Sequence, residues 1–320
     1  MRPHDFWQQD GFPASLLAPL GALTAAATAR RLARPGWRAP IPVICIGNAT
    51  VGGAGKTTVA LDLGARLTAR GIALHFLSRG YGGRERGPLL VDMARHDART
   101  VGDEPLLLAA IAPAWIAADR EAGARSAVAA GAEVLLLDDG LQNPSLHKDL
   151  SLLVIDAATG FGNGRLLPAG PLREPVAAAA GRCAAAVLIG EGTRPLDHLP
   201  PALPVLRARL EPDDTARDLA GRRVFAFAGI AHPAKFHATL RGLGAELAGH
   251  ADFPDHHPYS VLDLERILAR ARAYHAVPVT TAKDAVRVTP DIRAMLTVVG
   301  IRLAWHDPSA IEAVLRRGLP

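Results

Sequence analysis

The sequence contains very little cysteine. Cys45 and Cys183 are the only two in 320 residues, and their positions do not match the spacing of a metal site. So few cysteines exclude a disulfide framework and favour a reducing compartment. The chain also lacks the basic and aromatic motifs of nucleic-acid-binding proteins, so we expect no nucleic-acid partner.

Lysine is scarce as well. Arginine supplies almost all of the basic residues behind the net charge of +5, because the only lysines are Lys56, Lys148, Lys235 and Lys283. A basic chain is compatible with an anionic membrane surface or a phosphorylated substrate. With 49% hydrophobic and 21% charged residues, the composition is that of a globular protein, and the length suggests two domains.

Charged residues are absent from positions 11 to 29. Within this alanine-rich stretch, Leu16, Leu20 and Leu23 would share one face of a helix. Aromatic residues precede the stretch and arginines follow it, which favours a helix lying in the headgroup region of a membrane. A helix packed into the protein core is the alternative. Basic residues after the apolar run and the lack of a clear cleavage site argue against a signal peptide.

A glycine-rich turn then joins an apolar run to a helical pattern. The run 41–46 predicts a buried strand, and Lys56 and Thr57 open the helix. Backbone N–H groups, the helix dipole and a lysine at such a turn make a phosphate cradle. The predicted nucleotide-binding residues are Thr50, Val51, Gly52, Gly53, Ala54, Gly55, Lys56 and Thr57. Thr50 occupies the place of the usual first glycine, and a turn that binds nothing is the alternative.

Beyond this turn, short apolar runs alternate with helical patterns. This alternation predicts an α/β fold of the P-loop NTPase type, with a mostly parallel sheet and helices on both faces. Prolines interrupt the pattern from about 193 to 222, and a second α/β series follows. We therefore predict an N-terminal membrane-docking helical segment (1–40), a nucleotide-binding domain (41–205), a linker (206–222) and a smaller α/β domain (223–320).

Two pairs of acidic residues lie at the ends of predicted elements, one at the end of a strand and the other at the start of a helix. Asp138 and Asp139 end an apolar strand, where a carboxylate can hold Mg²⁺ together with Thr57. Asp103 and Glu104 stand at a loop-to-helix junction. Their spacing is equally compatible with helix capping and with a role as a base or a metal ligand.

Further candidate residues lie in loops after predicted strands. Asp255, His256 and His257 are adjacent, and a histidine that assists a carboxylate base suits phosphoryl transfer. Adjacent residues rarely face one ion, which disfavours zinc here; helix capping is the other alternative. The candidate substrate contacts are Arg79, Tyr81, Gln142 and Arg173, of which Arg173 offers a fork for a phosphate. For these loops, ordinary turn chemistry is the alternative.

Taken together, eight motifs in this order along nearly the whole chain resemble the tetraacyldisaccharide 4′-kinase family, the lipid A 4′-kinases of Gram-negative bacteria. They are Gly47–Thr57, Ser78–Gly82, Gly102–Pro105, Asp138–Gln142, Leu167–Glu174, Phe227–Ile230, Asp255–His257 and Thr281–Asp284. Thr50 is similar to the family pattern, whereas the run Ile230–Pro233 departs mildly from it.

The resemblance implies transfer of the γ-phosphoryl group of ATP to the 4′-hydroxyl of a tetraacylated disaccharide 1-phosphate, giving lipid IVA at the cytoplasmic face of the inner membrane. It also implies that Asp103 is the base and His256 its assistant, so that the 41–205 unit is the kinase domain. Lys56 and Asp139 complete the expected catalytic set. Thr57, Asp138 and Glu104 are the expected Mg²⁺ ligands.

The alternative function is a membrane-associated regulatory P-loop ATPase or GTPase switch. Such proteins often carry a lysine early in the loop, where this chain has Val51. A switch also needs a dimer partner, which no feature of the sequence indicates. A nucleotide-binding scaffold without catalysis, the third alternative, does not explain Asp103 and His256 together. The sequence therefore favours the kinase.

Overall fold

The computed structural model describes residues 5–319, so residues 1–4 and 320 of the predicted terminal segments lie outside the described chain. Its strands are β1 (Val43–Gly47), β2 (Leu74–Ser78), β3 (Leu89–Leu90), β4 (Ala114–Ile116), β5 (Val134–Asp138), β6 (Leu150–Asp156), β7 (Ala185–Ile189), β8 (Val205–Pro212), β9 (Arg223–Ala228), β10 (Glu246–Asp252), β11 (Val277–Thr281), β12 (Thr297–Val299) and β13 (Ile301–Trp305).

The helices alternate with these strands along most of the chain. They are α1 (Phe12–Leu32), α2 (Lys56–Thr68), α3 (Ala98–Val101), α4 (Asp103–Ala109), α5 (Arg120–Ala129), α6 (Val176–Ala180), α7 (Pro233–Gly242), α8 (Val261–Ala273), α9 (Ala282–Ala285), α10 (Pro290–Arg293) and α11 (Pro308–Leu315). Three short 3-10 helices cover Asp5–Trp7, Arg194–His198 and Asp214–Leu219.

Within residues 5–319 the strands form two sheets. The nine-stranded sheet has the order β13-β8-β7-β6-β1-β5-β2-β4-β3, and the four-stranded sheet has the order β10-β9-β11-β12. Pairing is parallel except between β3 and β4 and between β13 and β8, which are antiparallel. The predicted α/β class, with a mostly parallel sheet and a second smaller sheet, is confirmed.

The large sheet separates two hydrophobic cores. Along β1, Ile44 and Ile46 point into one core with α2, α4 and α11, whereas Val43 and Cys45 point into the other with α5 and α6. Successive side chains of a strand face opposite sides of a sheet, so a continuously apolar strand is buried by helices on both. This burial fixes β1 at the centre of the sheet and thereby positions the glycine loop that follows it.

The structure differs from the predicted boundaries at two places. Val205–Pro212, which runs into the predicted linker, is strand β8 of the large sheet. Within the predicted small domain (223–320), Gly300 separates β12 of the small sheet from β13, which belongs to the large one. Apolar residues of α11 join the core of the large sheet. The chain thus returns to its first sheet after building the second.

Helix α1 lies against the rest of the protein along a narrow line. Its buried residues are Ala14, Gly21 and Thr28, spaced seven apart and so on one face. Phe12, Leu16, Leu20 and Leu23 are 80%, 68%, 50% and 68% exposed. The alternative of a core helix is therefore not supported. By length and composition α1 is compatible with membrane association.

Candidate active site

The glycine loop connects β1 to α2 at the carboxyl end of the sheet, where parallel α/β sheets bind ligands. Gly55 precedes the first turn of α2 with φ +86°, and Gly52 has φ +116°, which are conformations that favour glycine. Val51 N–H donates to Pro171 O at 2.8 Å, which holds the loop against the 166–173 segment. The amino end of α2 is thus aimed at the space above the loop.

Lys56 folds back over this loop. Its Nζ donates to Asn48 Oδ1 at 3.1 Å and to Gly52 O at 3.4 Å, and it lies 3.7 Å from Asp139 Oδ2. The lysine side chain is 11% exposed, so the ammonium group is held in place by the protein. A phosphate bound above the loop would find this charge already positioned.

Asp138 lies at the end of β5 and is buried. Thr57 Oγ1 donates to its Oδ2 at 2.9 Å, while its Oδ1 is buried and has no hydrogen-bond partner within residues 5–319. Burial raises the pKa of Asp138 to about 6. A buried carboxylate oxygen without a partner, beside a threonine hydroxyl, suits a hard divalent cation such as Mg²⁺.

Asp139 follows in a left-handed conformation with φ +60°. This turn points its carboxylate toward Arg173, whose Nη1 donates to Oδ1 at 3.1 Å. Arg173 Nη1 also donates to Gln142 Oε1 at 3.3 Å. Asp139 therefore lies between Lys56 and Arg173, so the two cations share one counter-charge.

Gln142 connects the glycine loop to the 166–174 segment. Its Nε2 donates to Asn48 O at 2.8 Å and to Glu174 Oε1 at 2.9 Å. Glu174 is buried and accepts two further bonds from Arg182 at 2.7 and 2.8 Å. The side-chain amide of Gln142, which was predicted to contact the substrate, thus uses both of its N–H groups to hold the glycine loop against the 166–174 segment.

Asp103, the predicted base, and His256, its predicted assistant, are adjacent. Asp103 begins α4 of the large-sheet unit, whereas His256 lies in the loop after β10 of the small sheet. His256 Nδ1 lies 2.7 Å from Asp103 Oδ2. Burial raises the pKa of Asp103, but hydrogen bonds from His256 and Arg287 outweigh burial and lower it. The hydrogen bond to Asp103 raises the pKa of His256. Because an ionised carboxylate only accepts, Nδ1 carries the proton in this contact.

Arg287 is a site residue that the sequence patterns did not reveal. Its Nη2 donates to Asp103 Oδ2 at 2.5 Å and its Nη1 to Asp284 Oδ1 at 3.0 Å. Asp284 also accepts from Tyr259 Oη at 2.8 Å and from Thr281 Oγ1 at 2.6 Å. A buried network therefore holds Asp103, the predicted base, in place. Its only sequence signal is an arginine one turn after the Thr281–Asp284 motif.

Glu104, expected as a Mg²⁺ ligand, has a different partner. Its Oε1 accepts from Lys283 Nζ at 2.8 Å, a second ion pair between the two sheets. Glu104 is still close enough for its charge to contribute to the raised pKa of Asp138. His257 is also separated from the base, since its Nε2 lies 3.2 Å from Asp263, in the capping box of α8.

The loop after β2 forms the open side of the site. Tyr81 is 65% exposed and its ring meets that of His256 edge-on, with 6.5 Å between centroids. Arg79 is exposed and makes no ion pair with any described residue. Tyr81 is therefore accessible beside His256, and Arg79 is exposed in the same loop.

Arg120 is a second residue that the sequence analysis missed. It begins α5 directly after β4, is 3% exposed and donates to Ala117 O. Its Nε is buried without a hydrogen-bond partner in the described chain. Burial lowers the pKa of Arg120 to about 10, and the charges of Asp138 and Asp139 act in the opposite direction. Its place directly after a strand end was the available signal.

The chain has a glycine loop with its lysine at the centre of a mostly parallel sheet, and a carboxylate of the large-sheet unit that meets an imidazole of the small-sheet unit. These features define a P-loop phosphotransferase. The comparisons specify which one. The chain belongs to the LpxK family, described as tetraacyldisaccharide-1-P 4′-kinase, whose model matches residues 13–319.

Individual members of this family match the sequence of this chain along nearly its whole length. The tetraacyldisaccharide 4′-kinase of Gluconacetobacter diazotrophicus is 60% identical over 97% of this chain and 96% of its own. That of Rhodospirillum rubrum is 52% identical over 99% and 98%. The crystal structure of LpxK from Aquifex aeolicus in complex with ATP superposes with a TM-score of 0.78 at 26% identity, covering 97% of this chain and 100% of that one. The regulatory switch is not favoured.

Proposed function

We propose that this protein transfers the γ-phosphoryl group of ATP to the 4′-hydroxyl of tetraacyldisaccharide 1-phosphate, forming lipid IVA in lipid A biosynthesis. The observation that carries the proposal is the 2.7 Å contact between Asp103 and His256 beside the glycine loop. A switch protein needs no such base, whereas phosphoryl transfer to a sugar hydroxyl does.

Binding and orientation of ATP come first. The amides of the loop from Thr50 to Thr57 surround the phosphates, and the positive end of α2 faces them. Lys56 moves its hydrogen bonds from Asn48 and Gly52 to the β- and γ-phosphates. Phosphoryl transfer depends mainly on alignment and charge neutralisation, which these groups supply.

Asp103 receives the proton of the attacking hydroxyl. Its Oδ2 is occupied by His256 and Arg287, and its Oδ1 has no hydrogen bond within the described residues. Oδ1 is therefore the atom that accepts the substrate O–H. The two donors on Oδ2 hold the carboxylate ionised and fix its direction, so that the hydroxyl is oriented toward the γ-phosphate.

Mg²⁺ is the proposed cofactor, held by Asp138 and Thr57 with Glu104 close to them. The unpartnered, buried Oδ1 of Asp138 fits a cation of this kind. Bound there with ATP, the ion would neutralise phosphate charge. Asp139 keeps Lys56 and Arg173 apart and in place.

The lipid is proposed to approach from the side of Tyr81, whose exposed ring lies beside His256, and of Arg79, which is exposed in the same loop. Arg173 supplies a further positive charge, and Gln142 acts by holding the loop near it. Helix α1 docks the protein on the membrane that contains the lipid, which we place at the cytoplasmic face of the inner membrane because ATP is the donor.

We further propose that the two sheets form two domains that close on the substrate. Asp103 and Glu104 begin α4 of the large-sheet unit, whereas His256, Lys283 and Arg287 belong to the small-sheet unit. Their ion pairs are the contacts that complete the site. Separation of the units would disconnect the base from its assistant.

The experiment is transfer of label from γ-labelled ATP to a tetraacyldisaccharide 1-phosphate in detergent micelles, with Mg²⁺ or with a chelator. We expect a 4′-phosphorylated lipid from the wild-type protein and at least about a hundredfold lower rate for Lys56→Ala and Asp103→Asn. His256→Gln should reduce the rate and leave the apparent affinity for ATP unchanged.

Lys235→Ala is the matched control, because this lysine is exposed on α7 and its loss should leave the rate unchanged. Hydrolysis of ATP without labelled lipid would favour the switch. Equal rates for wild type and His256→Gln, with the same unfolding temperature, would remove the histidine from the mechanism.

A further inference from the structure

Outside the active site, three side chains with metal-ligating atoms converge on the small sheet. They are His237, His250 and Asp252, whose ligand atoms all lie within 4.8 Å of one another. His237 Nε2 is 3.1 Å from Asp252 Oδ1, and His250 Nε2 is 3.7 Å from Asp252 Oδ2. The centroids of the His237 and His250 imidazole rings are 4.6 Å apart.

The fold brings these residues together from two elements. His250 and Asp252 are two apart on β10, so both side chains emerge on the same face of the strand. His237 comes from α7, which packs on that face. β10 is the edge strand of the small sheet, so the cluster is open to solvent on one side.

His237 is the observation that separates this cluster from a chance group of surface residues. Its side chain is 8% exposed, and within residues 5–319 its buried Nε2 has no well-aligned hydrogen bond, although Asp252 Oδ1 is 3.1 Å away. Buried polar atoms nearly always have a partner, so this nitrogen requires an explanation.

We propose that His237, His250 and Asp252 bind a divalent cation of the zinc class. In a tetrahedral zinc site, ligand atoms about 2.0–2.2 Å from the ion lie roughly 3.3 Å from one another. His237 Nε2 lies 3.1 Å from Oδ1 of Asp252 and His250 Nε2 lies 3.7 Å from Oδ2, so each imidazole is near this spacing from one oxygen of the carboxylate. One ligand atom from each of the three residues lies within 4.8 Å of the other two. His250 and Asp252 are 51% and 41% exposed, so water can supply the fourth ligand from their side. Mg²⁺ is a poor occupant, because it prefers oxygen ligands.

The position of the site indicates a structural function. Asp252 is the last residue of β10, and the loop that follows carries His256. A cation held by His237 and Asp252 ties α7 to the end of this strand. We therefore expect it to stabilise the small sheet without taking part in phosphoryl transfer.

The test uses the full-length protein without a histidine tag, in the presence of excess Mg²⁺. Co²⁺ is titrated while the visible absorption of tetrahedral cobalt is recorded, and Zn²⁺ is then used to displace it. We expect saturable binding of one ion that depends on the cluster, with at least about tenfold weaker binding in His250→Ala and Asp252→Asn. Zn²⁺ should also raise the unfolding temperature of the wild type more than that of either variant.

His306→Ala is the control, because it removes an exposed imidazole outside the cluster and should bind like the wild type. Equal cobalt spectra and affinities in the wild type, His250→Ala and Asp252→Asn would overturn the proposal. The variants His250→Ala and Asp252→Asn change exposed residues, so they test the proposal even if His237→Ala, which changes a buried residue, does not fold.

Discussion

At the scale of the residue, the buried carboxylate of Asp138 lowers the stability of the fold at neutral pH. A carboxylate inside the protein loses its hydration, and here one of its oxygens receives no hydrogen bond from the described chain. Its pKa rises from 3.8 to about 6. The native state thus binds the proton more tightly than the unfolded state does. The free energy of unfolding therefore falls as the pH rises from 3.8 to about 6, and this carboxyl changes it no further at higher pH.

Asp138→Asn should therefore stabilise the metal-free protein. The shift corresponds to up to about 3 kcal/mol at pH 7, because each pKa unit is about 1.36 kcal/mol. The advantage should shrink as the pH falls below about 6 and disappear below about pH 3, where the carboxyl is protonated in both states. Urea unfolding with a chelator present, at several pH values, measures the difference, and kinase activity should be lost in the same variant.

Asp291→Asn is the comparison for this measurement, since Asp291 is exposed on α10 and should change stability little. If Asp138→Asn were less stable than the wild type at pH 7 without metal, the carboxylate would be stabilising and our account of the site would be wrong.

At the scale of the element, α1 presents two different faces. Ala14, Gly21 and Thr28 make the contact with the protein, and a Cβ at Gly21 would come within 3.1 Å of Leu166 O. The exposed leucines lie on roughly the opposite side, at the spacing of one helical stripe. Such a stripe has no partner within the described chain and suits a lipid surface.

Leu16→Glu combined with Leu23→Glu should release the protein from anionic vesicles. Each leucine is 68% exposed, so the change removes membrane affinity without opening the core. We expect cosedimentation with the vesicles to fall at least about tenfold, since charged groups are costly in the bilayer. The unfolding temperature should stay within a degree or two of the wild type.

Ala22→Glu provides the matched control, because Ala22 is exposed on α1 but lies outside the leucine stripe. Vesicle binding that is equally strong in the double variant and the control would exclude this face as the docking surface.

At the scale of the whole molecule, ion pairs join the two sheets. Arg287 is 3% exposed and bridges Asp103 of the large-sheet unit and Asp284 of the small-sheet unit. Removing it would leave the buried Asp284 carboxylate without its arginine and the buried Asp103 carboxylate with His256 alone. Breaking a buried pair in this way is strongly destabilising, unlike loss of an exposed pair.

Arg287→Ala should lower the free energy of unfolding by about 3–5 kcal/mol and reduce kinase turnover. The pKa of Asp103 is lowered in the folded protein, so this carboxylate stabilises the fold above its unfolded pKa and less as the pH falls through the folded value. The difference between wild type and variant should therefore shrink in acid. Urea unfolding at neutral and acidic pH measures both effects.

Arg302→Ala is the appropriate control, because Arg302 is 53% exposed in its pairs with Glu211 and Asp214 and should cost about 1 kcal/mol or less. Equal losses in the two variants would mean that the buried network does not join the sheets.

Local chemistry made several parts of this protein predictable. The loop of Gly52, Gly55 and Lys56 was recognisable because a phosphate cradle needs a strand, glycines and a helix amino end in sequence. Continuous apolar runs predicted strands buried on both faces, and the structure has them. Leu16, Leu20 and Leu23 could be assigned to one face from helical periodicity alone.

Other features depend on contacts between distant parts of the chain. Residues 103 and 256 meet, and Arg287 backs them, only because the small sheet folds back over the large one. The same return of the chain places β13 beside β8, which no local pattern distinguishes from a strand of the second sheet. Short-range periodicity reports which residues are buried, but partner choice is set by the packing of whole elements. The phosphate loop and the class of fold were therefore predictable from the sequence, because each depends on residues close together in the chain. The surroundings of Asp103, the predicted base, depend on the packing of distant elements and became visible only in the tertiary structure.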